Sequence, residues 1–427
     1  MERLMQYVWQ HRLLVQTDLV TVDGRKVSVI DPGRLNTDAG PDFFNAKVKI
    51  GEHLWVGDVE VHVRASDWHR HRHDGDRAYD SVVLHVVDKD DAQICRSNGE
   101  VIPQMQMACS PEFHIRYHEL VDRADIDLPC AREIPLISPL HLTDWLTSLA
   151  YERLYSKADH IEELMGQYAG DWEQTCYVVL ARALGFGTNS EPMERLAMSL
   201  PLHFLRKHSD SDVAIEALLF GQGGFLEKAP KCDPYVELLD REHKFFAHKF
   251  SLKPLQPLGW KMARMRPHNF PHRRIALLAR LITNDSRLVS RIIKADSIDG
   301  LRSIFSEPLT GYWATHFTFG PPSERTYESL SRSSVDILLI NVAIPLMMAY
   351  GTKHGDEEMC SRAVELLHEI PAESNSIVTL FVNAGIGCKD AFTSQALIHL
   401  RRNYCQTRKC LYCRLGHRLL ALRARRN

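Results

Sequence analysis

Two acidic residues and a histidine in one short segment have the types and spacing of a metal-dependent hydrolytic site. The segment "GPDFFNAKVKIGEHLWVGDVEVHV" carries Asp42, Glu60 and His62. Glu60 and His62 are two residues apart in a run that alternates polar side chains with valines, so in a strand they share one face. Carboxylates bind cations such as Mg²⁺ or Mn²⁺, and a neighbouring histidine can orient or deprotonate an attacking water.

A hairpin would bring Asp42 to the other two side chains. If residues 43–50 and 54–63 pair around a tight turn, facing residues have numbers that sum to about 103. Asp42 then lies across from Glu60 to His62, and two carboxylates this close repel unless a divalent cation lies between them. The pattern predicts metal-assisted phosphodiester hydrolysis, in which Asp42 and Glu60 bind the metal and His62 assists the water. Alternatively, Glu60 and His62 form no site and lie on the solvated face of an edge strand.

This arrangement resembles the core of the PD-(D/E)XK nuclease superfamily. An Asp follows Gly-Pro at the head of one strand, and the next strand carries an acid and, two residues later, a third group. The resemblance implies that Asp42 and Glu60 bind the metal and that His62 takes the position of the superfamily's Lys. It also implies that Glu2, on the first helix, matches the acid that many members carry there. Histidine is charged less often than lysine and has a shorter reach, so an inactive member is the alternative.

A histidine-rich loop follows the second strand of the hairpin. The run "SDWHRHRHDG" contains His69, His71 and His73, and we expect these side chains to bind a phosphate-bearing substrate beside the acids. His85 lies inside the next apolar run. A solvated loop and a histidine satisfied within the core are the alternatives.

Three cysteines crowd near the C-terminus at the spacing C-x4-C-x2-C. Cys405, Cys410 and Cys413 would place three thiolates on one compact turn, as in zinc and iron–sulfur sites. Some PD-(D/E)XK nucleases of the recombination type carry a cysteine-bound iron–sulfur cluster after the nuclease core, although here a long helical region intervenes. Three ordinary buried thiols are the alternative. The candidates for a fourth ligand are His417, Cys388, Cys360 and Cys130.

Two basic segments suit a polyanionic partner. From Ala391 onward the chain has nine Lys and Arg and no Asp or Glu. The segment 253–274 sets Arg264, Arg266 and Arg273 among aromatic residues, an arrangement suited to a phosphate backbone and unstacked bases. We therefore expect DNA or RNA as the partner. Arginines that pack on helix ends would give the same composition.

Composition limits the class of protein. The 427-residue chain is 44% hydrophobic and 25% charged, with a net charge of -2, as in a globular protein of two or three domains. Its first residues mix charged and apolar side chains, unlike a signal peptide, and polar residues and a proline interrupt its most apolar run, 335–350, so no membrane partner is expected. Ten cysteines in so long a chain indicate a reducing, cytoplasmic setting.

The period of the apolar residues changes near residue 110. Before it, a helix at about residues 2–14 precedes short alternating runs, which predict a mostly antiparallel sheet. After about residue 135 the period is helical. We expect an α+β protein: a nuclease-like α/β domain with a central mixed sheet at residues 1–110, then a larger, mainly α-helical domain at residues 111–427 that ends in the cysteine cluster.

The whole chain is similar to one bacterial family, known as domain of unknown function 2851. That resemblance implies no activity, so the expected function rests on the nuclease-like core. Two other functions stay open, namely a catalytically inactive nucleic-acid-binding or scaffold protein and a metal hydrolase of a small phosphorylated molecule. The similarity is carried by "DPGRLNTDAGPDFFNAKVKI", "WVGDVEVHVRASDWHRHRHDGDRAYDSVVLHVV", "GYWATHFTFG", "LLINVAIPLMMAYG" and "NYCQTRKCLYCRLG".

Overall fold

The chain is α+β: 57% of it is helical, and a mixed seven-stranded sheet lies in its N-terminal part. It divides into two compact units. The first is Met1–Trp145, Asn383–Ile386 and Leu400–Asn427, and the second is Leu146–Val382 and Gly387–His399. The computed structural model describes residues 1–12, 18–36, 39–107, 114–115, 117–119, 127–230, 232–253, 255, 259–284, 287–324 and 329–424, with side chains to residue 420.

The first unit is built around the mixed sheet. Its order across the sheet is β1-β2-β4-β5-β6-β7, with β3 beside β4. Strands β4 and β5 form an antiparallel hairpin, whereas β6 runs parallel to both β5 and β7. The strands are β1 (Leu19–Val20), β2 (Lys26–Asp31), β3 (Arg34–Leu35), β4 (Phe43–Ile50), β5 (His53–Arg64), β6 (Val82–Lys89) and β7 (Gln104–Gln106).

The hairpin has the register expected from the sequence, with one shift. Ile50 pairs with His53 and Ala46 with Gly57, but beyond a bulge Phe43 pairs with Val59. Asn45, inside the bulge, has a positive φ of 56°. A bulge inserts one residue into one strand only, so it moves the head of β4 one position along β5.

Helix α1 (Glu2–Gln10) packs its apolar side chains against the sheet. Leu4 and Val8, one turn apart, are buried in the same core as Val59 and Val61 of β5. The helix ends at Gln10, earlier than the expected residue 14, and residues 13–14 lie outside the described residues.

The polar row of β5 is buried rather than solvated. Glu60 is 4% and His62 is 1% exposed. A short helix, α2 (Asp67–Arg70), and two turns of 3-10 helix follow β5, and their aromatic side chains cover this face. Trp68 packs edge-on against His85 with ring centroids 5.5 Å apart. The alternative of a solvated edge strand is therefore excluded for these two residues.

The second unit is helical, apart from one isolated bridge among its described residues. Its α-helices, including two that cross its boundaries, are α3 (Pro139–Gln167), α4 (Trp172–Leu184), α5 (Ser190–Ser199), α6 (Leu202–Arg206), α7 (Asp212–Gln222), α8 (Pro234–Phe250), α9 (Pro271–Asn284), α10 (Leu288–Lys294), α11 (Ile298–Phe305), α12 (Tyr312–Thr315), α13 (Arg332–His354), α14 (Glu357–Glu369), α15 (Ser376–Asn383) and α16 (Ala391–His399). The last described helix, α17 (Arg414–Ala424), belongs to the first unit.

Helix α13 is the one described helix that is long and apolar enough to cross a membrane, but 78% of its apolar window is buried, as in a core helix. Its middle, Leu339–Ala343, is a turn of π-helix just before Pro345. Proline has no N–H to donate to the preceding turn, so carbonyl groups there need other donors. The ammonium group of Lys157 supplies one, because it lies 3.0 Å from the Ile340 carbonyl oxygen.

The division into units differs from the boundary expected at residue 110. The first unit extends to Trp145 and takes in Leu400–Asn427, so the cysteine segment belongs with the sheet and not with the helical unit. Leu411 and Leu420 are buried in the same core as α1 and β5. The spacing of apolar residues indicates only local secondary structure. It does not show that a segment far along the chain packs into the core formed by earlier residues.

Candidate functional site

The head of β4 and the middle of β5 hold the two acids together. Asp42 immediately precedes β4, and its backbone N–H donates to Oε2 of Glu60 at 2.9 Å. The backbone N–H of Val61 donates to Oδ2 of Asp42 at 3.1 Å. The register therefore places Asp42 opposite Glu60, and each carboxylate is fixed by the other strand's backbone.

Helix α1 contributes two further polar side chains to the acid pair. The side chain of Gln6 donates to Oδ1 of Asp42 at 2.9 Å. Glu2 lies one turn earlier on the same face, and its negative charge acts on both Asp42 and Glu60. Glu2 is thus close enough for its charge to act on the acid pair, and its match to the superfamily's helical acid stays a prediction.

Burial and nearby negative charges raise the pKa of both acids. Burial, and then the charge of Glu60, raises the pKa of Asp42 to about 7. Burial raises the pKa of Glu60 to about 8, and the charge of Glu2 adds to the effect. Acids in this condition are stabilised by a bound cation, which compensates both desolvation and repulsion.

Three histidines converge on the free side of Glu60. Its Oε1 atom lies 3.4 Å from Nε2 of His62 and 3.4 Å from Nε2 of His73. Nδ1 of His71 lies 3.1 Å from Nε2 of His62. In the described part of the chain, one group of three or more potential ligands lies within 4.8 Å, and it is these three histidines.

A chain of hydrogen bonds fixes the tautomer of His62. The amide nitrogen of Gln104 donates to Asp90, at 2.7 Å, and so its oxygen faces Nδ1 of His85, at 3.3 Å. Nδ1 of His85 therefore carries the proton, and Nε2 of His85 accepts from Nδ1 of His62 at 2.8 Å. Burial lowers the pKa of His85 to about 4 and that of His62 to about 2, so both rings are neutral.

Nε2 of His62 consequently carries no proton, and its polar neighbours are His71 and Glu60. It lies 3.1 Å from Nδ1 of His71 and 3.4 Å from Oε1 of Glu60, so it can accept a proton from either group or bind a cation. The sequence assigned His62 to the water and His71 and His73 to the substrate. The structure brings ligand nitrogens of all three within 4.8 Å of one another, and it places His62 and His73 beside Glu60.

His69 and Asp58 lie apart from this cluster. Nδ1 of His69 faces Asp74 at 3.9 Å, and about half of the His69 side chain is exposed. Asp58 accepts from the backbone N–H of Asn45 at 3.0 Å and from the hydroxyl of Ser81 at 2.6 Å, so it stabilises the bulge. Of the four acids in residues 40–63, only Asp42 and Glu60 meet.

The basic residues expected to bind substrate separate in the second unit. Arg266 and Arg273 line a cavity of about 330 Å³ together with Arg274 and His268, whereas Arg264 is exposed outside its lining. Arg273 is buried, and it donates to the carbonyl oxygen of Trp313 at 2.6 Å. For Arg273 the structure therefore favours the alternative of an arginine packed within the fold.

The C-terminal basic run is partly compensated by acids elsewhere in the first unit. Arg401 pairs with Asp127 at 2.8 Å, and Arg414 pairs with Asp144 at 2.5 Å. Arg425 and Arg426 lie outside the described residues.

The three C-terminal cysteines lie together, and Cys130 joins them at one cavity of the first unit. Of the other candidate fourth ligands, Cys360 and Cys388 belong to the second unit. Nδ1 of His417 instead shares a short hydrogen bond with the hydroxyl of Tyr7. No sequence spacing relates Cys130 to the C-terminal group.

Comparison with known proteins gives a family without an assigned activity. A family model described as "Protein of unknown function (DUF2851)" matches residues 2–376. The matched part contains the acid pair, the histidines and Cys130, and it ends before Cys405. No curated protein and no solved structure gives a significant match.

Proposed function

Because the chain belongs to the family of unknown function DUF2851, we propose its function from the geometry of the site: metal-dependent hydrolysis of phosphodiester bonds in DNA or RNA. The observation that carries the proposal is the convergence of the Glu60 carboxylate, paired with Asp42, and the unprotonated Nε2 atom of His62. Backbone hydrogen bonds hold the two acids and a side-chain hydrogen bond to His85 holds His62, so the site is preorganised.

The donor set fits a divalent cation. Glu60 and Asp42 offer carboxylate oxygens, and His62, His71 and His73 offer imidazole nitrogens within 4.8 Å of one another. Carboxylates alone suit Mg²⁺, whereas imidazoles favour transition metals, so this mixture favours Mn²⁺ over Mg²⁺. When bound, such a cation polarises a phosphoryl oxygen and supplies a nucleophilic water at neutral pH.

Other residues of the protein position the acid pair and His62 and offer contacts to the substrate. Gln6 and the Val61 N–H hold the carboxylate of Asp42, and the hydrogen bond to His85 keeps the lone pair of His62 directed at the site. His71 is exposed, and Nη2 of Arg70 lies 3.5 Å from its Nε2 atom. Nη2 of Arg70 donates to this nitrogen, and the other N–H groups of the exposed Arg70 can donate to a substrate phosphate at the mouth of the site.

The order of the elements supports a place in the PD-(D/E)XK superfamily. An acid on the first helix, an acid at the head of one strand, and an acid and a third group on the next strand follow the superfamily's pattern. In this proposal His62 stands at the Lys position, where a neutral imidazole replaces a cationic amine.

A polynucleotide is favoured over a small phosphorylated molecule by the basic cavity of the second unit. Arg266, Arg274 and His268 line it, and helix α13 begins there with Ser331 and Ser334 in the lining. A helix N-terminus with arginines beside it suits phosphate groups. Composition continues to indicate a cytoplasmic setting, and this stays a prediction.

Cleavage assays on matched variants test the proposal. Protein purified without oxygen is incubated with single- and double-stranded DNA and RNA and with bis(4-nitrophenyl) phosphate, in Mn²⁺ or Mg²⁺. The parent and Glu52→Gln, whose side chain is 93% exposed on the same hairpin, are expected to cleave nucleic acid, whereas Asp42→Asn and Glu60→Gln are not.

The other outcomes distinguish the alternatives. Equal cleavage by all four proteins would overturn the proposed site. Binding of nucleic acid without cleavage would support the inactive or scaffold protein, and turnover of the small diester alone would support the small-molecule hydrolase.

A further inference from the structure

Four thiols from distant parts of the chain line one small cavity in the first unit. The cavity has a volume of about 20 Å³. Cys405, Cys410 and Cys413 come from the C-terminal segment, and Cys130 lies 275 residues before Cys405. Cys130 interacts electrostatically with Cys410 and Cys413, and Cys405 with all three other thiols. None of the four is in a disulfide bond.

Each C-terminal cysteine lies at the end of a helical segment that fixes it. Cys405 ends the π-helical turn Leu400–Cys405, Cys410 begins a 3-10 turn, and Cys413 directly precedes α17. Gly416 packs tightly here, because a Cβ atom at that position would lie 2.1 Å from the carbonyl oxygen of Cys410. The backbone is thus shaped to bring α17 close to Cys410.

We propose that Cys130, Cys405, Cys410 and Cys413 bind an iron–sulfur cluster. Four convergent thiols with a cavity between them form the ligand set of such clusters and of structural zinc. This inference rests on the cysteines alone and is independent of the proposed hydrolysis.

A single zinc ion and an iron–sulfur cluster hold their thiolates at different spacings. Four thiolates at zinc–sulfur distances of about 2.3 Å lie about 3.8 Å apart in a tetrahedron. Within the described residues, however, the group of potential ligands found within 4.8 Å is the histidine group, and no three of these thiols meet that limit. Thiolates that bind different iron atoms of one cluster are spread more widely than those around one ion.

The cluster would fasten the C-terminal segment to the sheet unit. Leu411 and Leu420 of that segment are buried with α1 and β5, and His417 on α17 contacts Tyr7 on α1. Helix α1 also carries Gln6, which binds Asp42. Loss of the cluster would therefore loosen the elements that position the acid pair, through structure and without a redox step.

Metal and sulfide analysis of the full chain tests the proposal. Protein purified without oxygen is expected to show the visible absorbance of an iron–sulfur cluster, with stoichiometric iron and acid-labile sulfide. Cys130→Ser and Cys410→Ser are expected to lose both. The control is Cys95→Ser, in the same unit but outside the cavity lining, which should retain them.

Three results would overturn the proposal. Stoichiometric zinc without sulfide would replace the cluster by a zinc site, and a parent without bound metal would remove the site altogether. Full iron content in Cys130→Ser would remove that residue from the ligand set. If the serine variants do not fold, the iron and sulfide content of the parent decides between cluster, zinc and no metal.

Discussion

The backbone N–H of Asp42 donates to Oε2 of Glu60 at 2.9 Å, so the chain itself holds two buried acids side by side. Burial raises the pKa of both acids, and hence their ionised forms are destabilising in the folded protein. Such a site lowers the stability of the metal-free protein and raises its affinity for a cation.

Replacement of Glu60 by its neutral isostere should therefore stabilise the metal-free protein. At pH 9, above the raised pKa of about 8, Glu60→Gln removes a buried charge, and we expect the free energy of unfolding to rise by about 1–2 kcal/mol. Urea unfolding in chelator measures this, with Glu52→Gln as the exposed control. Mn²⁺ should stabilise the parent and not Glu60→Gln. A destabilised variant would show that the carboxylate is satisfied without a cation.

The hydrogen bond between His62 and His85 should matter for metal binding although His85 does not reach the acids. His85→Leu leaves the Nδ1 proton of His62 without an acceptor, and we expect Mn²⁺ affinity to fall by about 10–100-fold. His85→Gln, which keeps an acceptor, should recover part of the loss. Titration calorimetry compares these variants with His69→Ala, which lies outside the cluster. Equal affinities in all of them would remove His85 from the site.

The acid pair could be predicted from the sequence because it depends on local spacing. A turn at Gly51 sets the hairpin register, and register determines which side chains face one another. The bulge at Asn45 escaped prediction, since Asn is a common residue with no fixed link to a positive φ. The burial of Glu60 also escaped, because it depends on where Trp68 and Tyr79 pack.

The features of the sites that the sequence did not predict depend on tertiary contacts. The proton position on His62 depends on Gln104, which stands on a strand two places away from β5 and is tied to Asp90. The fourth thiol, Cys130, joins the cluster only after folding. In both cases the partner is far along the chain, and residue spacing carries no information about it.

The basic cavity should contribute to nucleic-acid binding through charge. Arg266 lines the cavity, and Arg266→Ala is expected to weaken binding of every sequence alike and to reduce the slope of log affinity against log salt by about 1. Fluorescence anisotropy at several salt concentrations measures this. Arg241→Ala, with a 74% exposed side chain outside the cavity lining, is the matched control. An unchanged salt slope in Arg266→Ala would exclude the cavity as a phosphate-binding surface.

A buried acid in the second unit should make stability depend on pH. Burial, and then the charge of Asp212, raises the pKa of Glu216 to about 8, while the hydroxyl of Tyr235 donates to Glu216. Because the folded state holds this proton more tightly than the unfolded state does, its stabilising effect is complete below the ordinary pKa and is lost as pH rises through about 8. The loss is at most about 1.4 kcal/mol per pH unit. Urea unfolding from pH 5 to 9 should show a flatter profile for Glu216→Gln than for the parent or the exposed control Glu237→Gln. Parallel profiles for all three would mean that Glu216 is already ionised in the folded protein at pH 5.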